Sequence, residues 1–324
     1  MKKSTKAILI ASGVASVGIL SAVAAHQISA RSFMKIALDR KEPKLVTQKM
    51  PRLVGSEDFV AGLETLSANA KNLTNKNTER VELTAFDGIT LVGHWYPCEN
   101  AKRIIVAMHG WRSSWAKDFG IAADFFHENG CSVLFAEQRA HGESGGEHMG
   151  FGLLERYDCY EWTKWVDMQC GSQTPIYLMG ISMGATTVMM TTSFKLPKNV
   201  KGVIADCGFT SPQAIWKHVA ENNLRIPFLI YKGISNDIFK KKVQIGNLKF
   251  STTMALEKCK LPVLFIHGTD DKFVPINMTF ENYKACKGDK YLFIVPGAEH
   301  GMSYLVDTKG YEEKLLEFFE SYDS

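Results

Sequence analysis

The chain has 324 residues, about twice the usual single-domain length, with 45% hydrophobic, 22% charged and 11% aromatic residues and no period in its 26 glycines and 10 prolines. Disordered and fibrous classes are excluded, leaving one large or two modest globular domains. The formal net charge of +4 is uneven, with +7 in the first fifty residues, where nine Lys or Arg face only Asp39 and Glu42, and −3 in the remainder. No basic footprint for nucleic acid follows residue 50.

At the amino terminus, Lys2, Lys3 and Lys6 precede an uncharged run at 7–25, AILIASGVASVGILSAVAA. At about 1.5 Å per helical residue this run just crosses a hydrocarbon core. Its length predicts an uncleaved single-pass anchor that leaves the amino terminus cytoplasmic and exports the rest. Ala22-Val-Ala24 supplies the small-x-small site of a cleavable signal peptide, so a secreted protein is the alternative. Arg31, Lys35, Arg40 and Lys41 on the far side blur the orientation. The division expected is an anchor or signal segment at 1–30, a stalk and extension at 31–80, and a catalytic-sized domain at 81–324.

That domain opens on VELTAF and ITLVGHWY around Asp87-Gly88, which predicts two antiparallel strands joined by a tight hairpin. Short apolar runs follow at 103–110, 132–137, 175–180, 201–206, 262–268 and 291–297, each bounded by turn residues, and they read as fully buried strands. Helix-period segments at 116–128, 153–168 and 308–322 lie between or after them. The alternation predicts an α/β fold: a mostly parallel sheet of about eight strands, helices on both faces, and a site outside the carboxyl ends of the strands. The stretch 209–257 breaks the rhythm and is expected to be a helical cap insertion that shapes the leaving-group pocket. The seven cysteines are never closer than eleven positions, so no CxxC zinc or redox pair exists. Most lie in or beside apolar runs and read as small buried hydrophobes.

The chemistry concentrates at Gly180-Ile181-Ser182-Met183-Gly184, a G-x-S-x-G between an apolar strand and a helix pattern. In a nucleophile elbow the serine sits on a strained strand-to-helix turn, the glycines avoid a Cβ clash, and the helix amino end faces the site. A hydroxyl needs a base and an orienting acid, and in this architecture they follow in the order Ser, acid, His. His267-Gly268-Thr269-Asp270-Asp271 follows one strand, and Glu299-His300-Gly301 follows the last. His300 alone of the nine histidines has the right placement, and His267 reads as a packed strand-end residue. Asp271 is the favoured acid. Asp270 adjoins it, and Asp206 after the sixth strand is a further alternative, although its place beside Cys207 and Gly208 suggests a tie to the cap entrance. No HExxH, P-loop or GxGxxG occurs, so no metal, nucleotide or dinucleotide cofactor is indicated.

From about residue 80 onward the chain resembles the α/β-hydrolases, specifically the serine aminopeptidase-like and membrane-anchored bacterial cell surface hydrolase group. The supporting motifs are the Asp87-Gly88 hairpin, His109-Gly110, the loop Arg139-Ala-His141-Gly142-Glu-Ser144, the elbow, HGTDDKFVP and GAEHG, with Phe33 to Leu38 resembling the leader of anchored members. The resemblance implies Ser182 as nucleophile, His300 as base, Asp271 as acid, and the backbone N–H groups of Trp111 and Met183 as the oxyanion hole. Glu137 departs from the Asp usual at that loop, which bears on loop packing. The implied activity is hydrolysis of carboxylic esters through an acyl-enzyme, on a small-molecule or peptide acyl substrate. A peptidase, amidase, thioesterase or acyltransferase would use the same residues, and a non-catalytic binding protein would use the same fold. The sequence does not specify an oligomer.

Overall fold

The computed structural model describes residues 27–41, 55–171, 173–244 and 249–323. The apolar run at 7–25 lies outside the described residues, and among those described no helix is long and apolar enough to cross a membrane.

The hairpin forms as the Asp-Gly turn dictates. β1 (Glu79–Thr84) and β2 (Thr90–Tyr96) pair antiparallel with Thr84 opposite Thr90, and Gly88 takes the positive φ of 85° that the turn requires. The six apolar runs become β3 (Arg103–Met108), β4 (Cys131–Ala136), β5 (Ile176–Ile181), β6 (Val200–Asp206), β7 (Val263–Gly268) and β8 (Lys290–Val295), but the last is not fully buried as expected: β8 ends the sheet and leaves Tyr291 and Leu292 exposed. One eight-stranded sheet results, ordered β1-β2-β4-β3-β5-β6-β7-β8, with every pair from β4 to β8 parallel.

A strand buried on both faces serves two cores, because successive side chains point to opposite sides. Ile104, Val106 and Met108 pack with Trp162 and Val166 of α5 (Glu155–Cys170) and Val188 of α6 (Met183–Thr191). Ile105 and Ala107 face the other way, toward α2 (Glu57–Thr74), α3 (Trp115–Phe119), α4 (Ala123–Glu128) and α12 (Thr308–Tyr322). Tyr311, Leu315, Phe318 and Phe319 of α12 hold the i, i+4, i+7, i+8 spacing that makes one apolar stripe.

The single helix expected over 116–128 is split into α3 and α4. A Cβ at Gly120 would strike the carbonyls of Ala116 and of Asn69 on α2, so the break is where α2 crosses closest. Two helices also occupy the stretch read as anchor margin, stalk and extension: α1 (27–38) and α2 both lie against the body.

Between β6 and β7 come α7 (Pro212–His218), a π-helical turn (Val219–Asn223), α8 (Phe228–Val243) and α9 (Thr252–Leu256). Leu256 of α9 joins the main core beneath the sheet, whereas Trp216, Phe228 and Phe239 of α7 and α8 form a separate apolar cluster with Met34 and Leu38 of α1 and Met183 beside the elbow. Short helices α10 (Asn277–Ala285) and α11 (Ser303–Val306) complete the chain. Because β5, β6, β7 and β8 run parallel, the loops carrying Ser182, Cys207, Asp271 and His300 all emerge on one rim.

Candidate active site

Ser182 sits between β5 and α6 with φ 56° and ψ −114°, a backbone conformation costly for a residue with a Cβ. The surroundings impose it. A Cβ on Gly184 would overlap the carbonyl oxygen of Met108, and one on Gly180 would overlap the Gly184 carbonyl, so β3, β5 and α6 converge only because both positions are glycine. The Ser182 N–H donates to the Asp206 carbonyl at 2.8 Å, fixing the turn from β6.

The side chain then enters a line of three groups from three loops. Ser182 Oγ lies 2.9 Å from His300 Nε2, and His300 Nδ1 lies 2.7 Å from Asp271 Oδ2. Asp271 Oδ1 accepts the N–H groups of Phe273 and Val274 at 2.9 and 2.8 Å, so the carboxylate caps its own loop and presents only its second oxygen to His300. Since that oxygen accepts, Nδ1 carries the proton and Nε2 is free to accept from the serine hydroxyl. Burial by itself would raise the Asp271 carboxyl. The His300 charge and the hydrogen bonds from His267 and His300 outweigh it and hold the group well below the carboxylate range. Burial likewise disfavours His300 protonation, but the Asp271 charge and hydrogen bond prevail and raise its pKa.

His267 is fully buried, with Nε2 donating to the Val274 carbonyl at 2.9 Å and Nδ1 2.6 Å from Thr279 Oγ1; it packs behind Asp271, as its position suggests. Asp270 is exposed and bonded to Thr269, away from His300. Asp206 is not tied to the cap: its carboxylate accepts from Ser303 at 3.3 Å and Tyr311 at 3.1 Å, beneath the carboxyl-terminal helices, and burial pushes it up to about 6. Among the described residues one group of three metal-ligating side chains occurs, Cys207, Asp271 and His300, within 4.8 Å of one another. Two of them are hydrogen-bonded to each other, and burial pushes the Cys207 thiol well above its ordinary value, so the group is not arranged as a metal cage.

The loop after β3 faces the serine. Asp118 Oδ2 accepts the Gly110 N–H at 2.6 Å, and the other oxygen of the same carboxylate takes the Ser113 hydroxyl. His109 donates Nδ1–H to the Gly110 carbonyl at 2.8 Å while its Nε2 accepts the Gln138 N–H at 3.0 Å. His141 likewise donates to the Arg139 carbonyl at 2.9 Å and accepts the Arg112 N–H at 3.0 Å. Burial lowers both, His141 to about 3, which keeps the rings neutral and able to accept. Among the described residues, the amide N–H groups of Trp111 and Met183 have no acceptor. Glu137 anchors the neighbouring loop by accepting the Glu143 N–H and bonding His94 Nε2 at 2.9 Å. The pinning roles of Asp118, Gln138 and the two neutral histidines are not legible from residue type; His109 and His141 stand in recognisable motifs, without roles.

Aromatic rings cluster beside the site: Phe273 lies 5.0 Å from His300 and 6.2 Å from Trp111, and Phe151 bridges Trp111 to the buried Trp216 of α7 at 6.4 and 5.4 Å.

A family model described as the alpha/beta hydrolase fold matches residues 103–243. The chain has the α/β-hydrolase fold. The uncharacterized protein YqkD of Bacillus subtilis is 26% identical over 248 residues, 75% of this chain and 81% of that one. Protein ABHD12B of Homo sapiens is 26% identical over 226 residues, 64% of this chain and 59% of that one. Among solved structures, the esterase Pf2001 from Pyrococcus furiosus superposes with a TM-score of 0.63 at 23% identity, covering 78% of this chain and 94% of its own. At that identity the likeness is one of fold.

Proposed function

We propose that this α/β-hydrolase is a serine hydrolase that cleaves carboxylic esters with Ser182 as nucleophile, His300 as general base and Asp271 as its orienting acid. The observation that carries the reading is the 2.9 Å contact from Ser182 Oγ to a His300 nitrogen whose partner nitrogen is occupied by a buried carboxylate. In the reaction, Ser182 Oγ attacks the ester carbonyl as its proton passes to His300 Nε2, and Asp271 stabilises the imidazolium. The developing oxyanion takes the two amide N–H groups without acceptors, those of Trp111 and Met183. His300 returns the proton to the departing alcohol, and water resolves the acyl-enzyme by the same steps in reverse. The aromatic cluster of Trp111, Phe151, Trp216 and Phe273 beside His300 supports an apolar acyl or alcohol group over a charged peptide.

Labelling the full chain with a fluorophosphonate tests the nucleophile: wild type is expected to gain one adduct on Ser182, and Ser182→Ala none. A folded wild type that stays unlabelled, or labelling that persists in the variant, would remove the assignment. Turnover of short- and long-chain p-nitrophenyl esters but not aminoacyl amides is the expected selectivity.

The run at 7–25 and the preceding lysines support a further proposal, that the protein is retained on the cell membrane with its catalytic domain outside, as in the anchored cell surface hydrolases. Fractionation with amino-terminal sequencing decides it: mature protein beginning near His26 in the soluble fraction would replace the anchor with a cleaved signal.

A further inference from the structure

The last turn of any helix leaves carbonyls without intrahelical donors. At the end of α1 the body of the enzyme meets them. The Ile36 carbonyl accepts from Arg112 Nη2 at 2.6 Å, Ala37 from the Trp111 indole Nε1 at 2.9 Å, and Leu38 from the Met149 N–H at 2.8 Å. The Asp39 carbonyl accepts again from Arg112 Nη2 at 2.8 Å. A guanidinium at the negative end of a helix dipole is electrostatically favoured. Beyond the turn, the Asp39 carboxylate pairs with Lys242 of α8 and lies 3.2 Å from His148 Nδ1, while Arg40 donates to the carbonyls of Gly142 at 2.5 Å and Ser144 at 2.6 Å. Ala30 and Ser29 aside, Met34, Ala37 and Leu38 bury one face of α1 in the cluster that holds Met183 and Trp216. One short segment therefore grips the loop after β3, the loop after β4 and the cap.

The residues gripped at the first of these are Trp111, whose N–H has no acceptor among the described residues, and Arg112, whose φ of 52° is held in the left-handed region with its own N–H on His141. Gly110 is fixed from the other side by Asp118. The direction of the Trp111 N–H is thus set by three anchors, of which α1 is one.

We propose that residues 27–41 form a positioning strap, in which the carboxyl-terminal carbonyls of α1 hold the Trp111 indole and the Arg112 guanidinium so that the Trp111 amide stays aimed at the oxyanion. The proposal rests on the reading of that amide as an oxyanion donor. Trp111 through its side chain and Arg112 are positioning residues.

The test uses the full chain in detergent with Arg112→Gln, Arg112→Lys and Trp111→Phe, following kcat, KM, thermal unfolding and inhibition by a trifluoromethyl ketone. Serine addition to that ketone gives a hemiketal oxygen in the oxyanion position. Losing a whole oxyanion donor costs about 10²–10³ in kcat, so a donor left in place but loosely aimed is expected to cost about 10–100-fold in Arg112→Gln and about 5–10-fold in Trp111→Phe. KM is expected to change little, the ketone to weaken in proportion to kcat, and Arg112→Lys, which keeps a donor for the carbonyls, to recover part of the loss. Folded variants with wild-type kcat, or a loss confined to KM, would overturn the strap while fluorophosphonate labelling of Ser182 left the site reading standing. Absence of labelling in wild type would overturn both.

Discussion

Replacing Asp271 by Asn keeps the side-chain volume on the loop after β7 and removes one buried charge. The Phe273 and Val274 N–H groups both donate to Oδ1, at 2.9 and 2.8 Å, and only the oxygen of an amide can accept them. The introduced amide is thereby fixed with its NH2 toward His300 Nδ1, which must then act as acceptor. The ring proton moves to Nε2, the atom 2.9 Å from Ser182 Oγ, and the serine loses its base. In a well-studied serine protease the corresponding wrong-tautomer change lowers turnover about 10⁴-fold, so a loss of at least about a hundredfold in kcat/KM is expected here.

The pH profile supplies a second readout with a definite sign. His300 accepts a proton only when neutral, and the Asp271 charge raises its pKa despite burial. The acid limb of wild-type kcat/KM is therefore expected above the ordinary histidine value of about 6.5. Without the Asp271 charge, burial prevails and the limb of the residual activity moves to lower pH. Initial rates on a p-nitrophenyl ester across pH 4–9, with circular dichroism to establish folding, measure both effects. A folded Asp271→Asn enzyme within about threefold of wild type would refute the argument, since about 10⁴ is the cost elsewhere of the same tautomer change. Crippling by Asp206→Asn instead would relocate the acid to β6.

Gly184→Ala is expected to destabilise the fold by at least about 1–3 kcal/mol, because its Cβ meets the Met108 and His109 carbonyls at the sheet centre; an unchanged urea midpoint would show that the elbow tolerates a side chain. Asp206 has a folded pKa of about 6 against 3.8 unfolded, so the folded state binds the extra proton and stability falls as pH rises through that window. Thermal melts are expected to show a steeper decline from pH 4 to 7 in wild type than in Asp206→Asn, and equal slopes would contradict the burial argument. Glu137→Ala leaves the Glu143 N–H and His94 without their acceptor, with an expected cost of about 1–3 kcal/mol in urea unfolding; a cost near zero would show the loop is held elsewhere.

The sheet is legible in the sequence because its determinants are local. Six apolar runs between turn residues specify strands wherever the chain goes next, although the last, β8, falls at the sheet edge and is partly exposed, and Asp87-Gly88 specifies the hairpin through the positive φ of Gly88. The candidate line is legible for a related reason: when strands are parallel, residues just past their carboxyl ends share a rim, so Ser182, Asp271 and His300 converge although 29 and 118 positions separate the bonded pairs. What sequence order does not show depends on crossings between distant elements. The break falls at Gly120, where Asn69 of α2 lies too close for a Cβ, and nothing in 116–128 records that approach. Sequence order points Asp206 toward the cap entrance, yet Tyr311 and Ser303, about a hundred residues later, claim both its oxygens. The basic stretch after residue 30 reads as a partly helical stalk, and the helix forms over 27–38, but it is docked: Arg40 donates to loop carbonyls and Met34 and Leu38 are buried.

The same division governs which histidines carry charge. His109, His141 and His300 all lie near the Ser182 rim, and residue type alone makes them equivalent. His109 and His141 each meet a carbonyl on one nitrogen and a backbone N–H on the other, a pairing that only a neutral ring satisfies, and burial lowers both. His300 meets a carboxylate and a hydroxyl, which leaves Nε2 able to take a proton and stabilises the ring once it has. The two neutral rings thus make the loop beside the serine rigid without adding a positive charge that would oppose the imidazolium. In the proposed reaction, which creates a cation at His300, locking His109 and His141 as neutral acceptors is favourable, and this gives their motifs a physical purpose distinct from proton transfer.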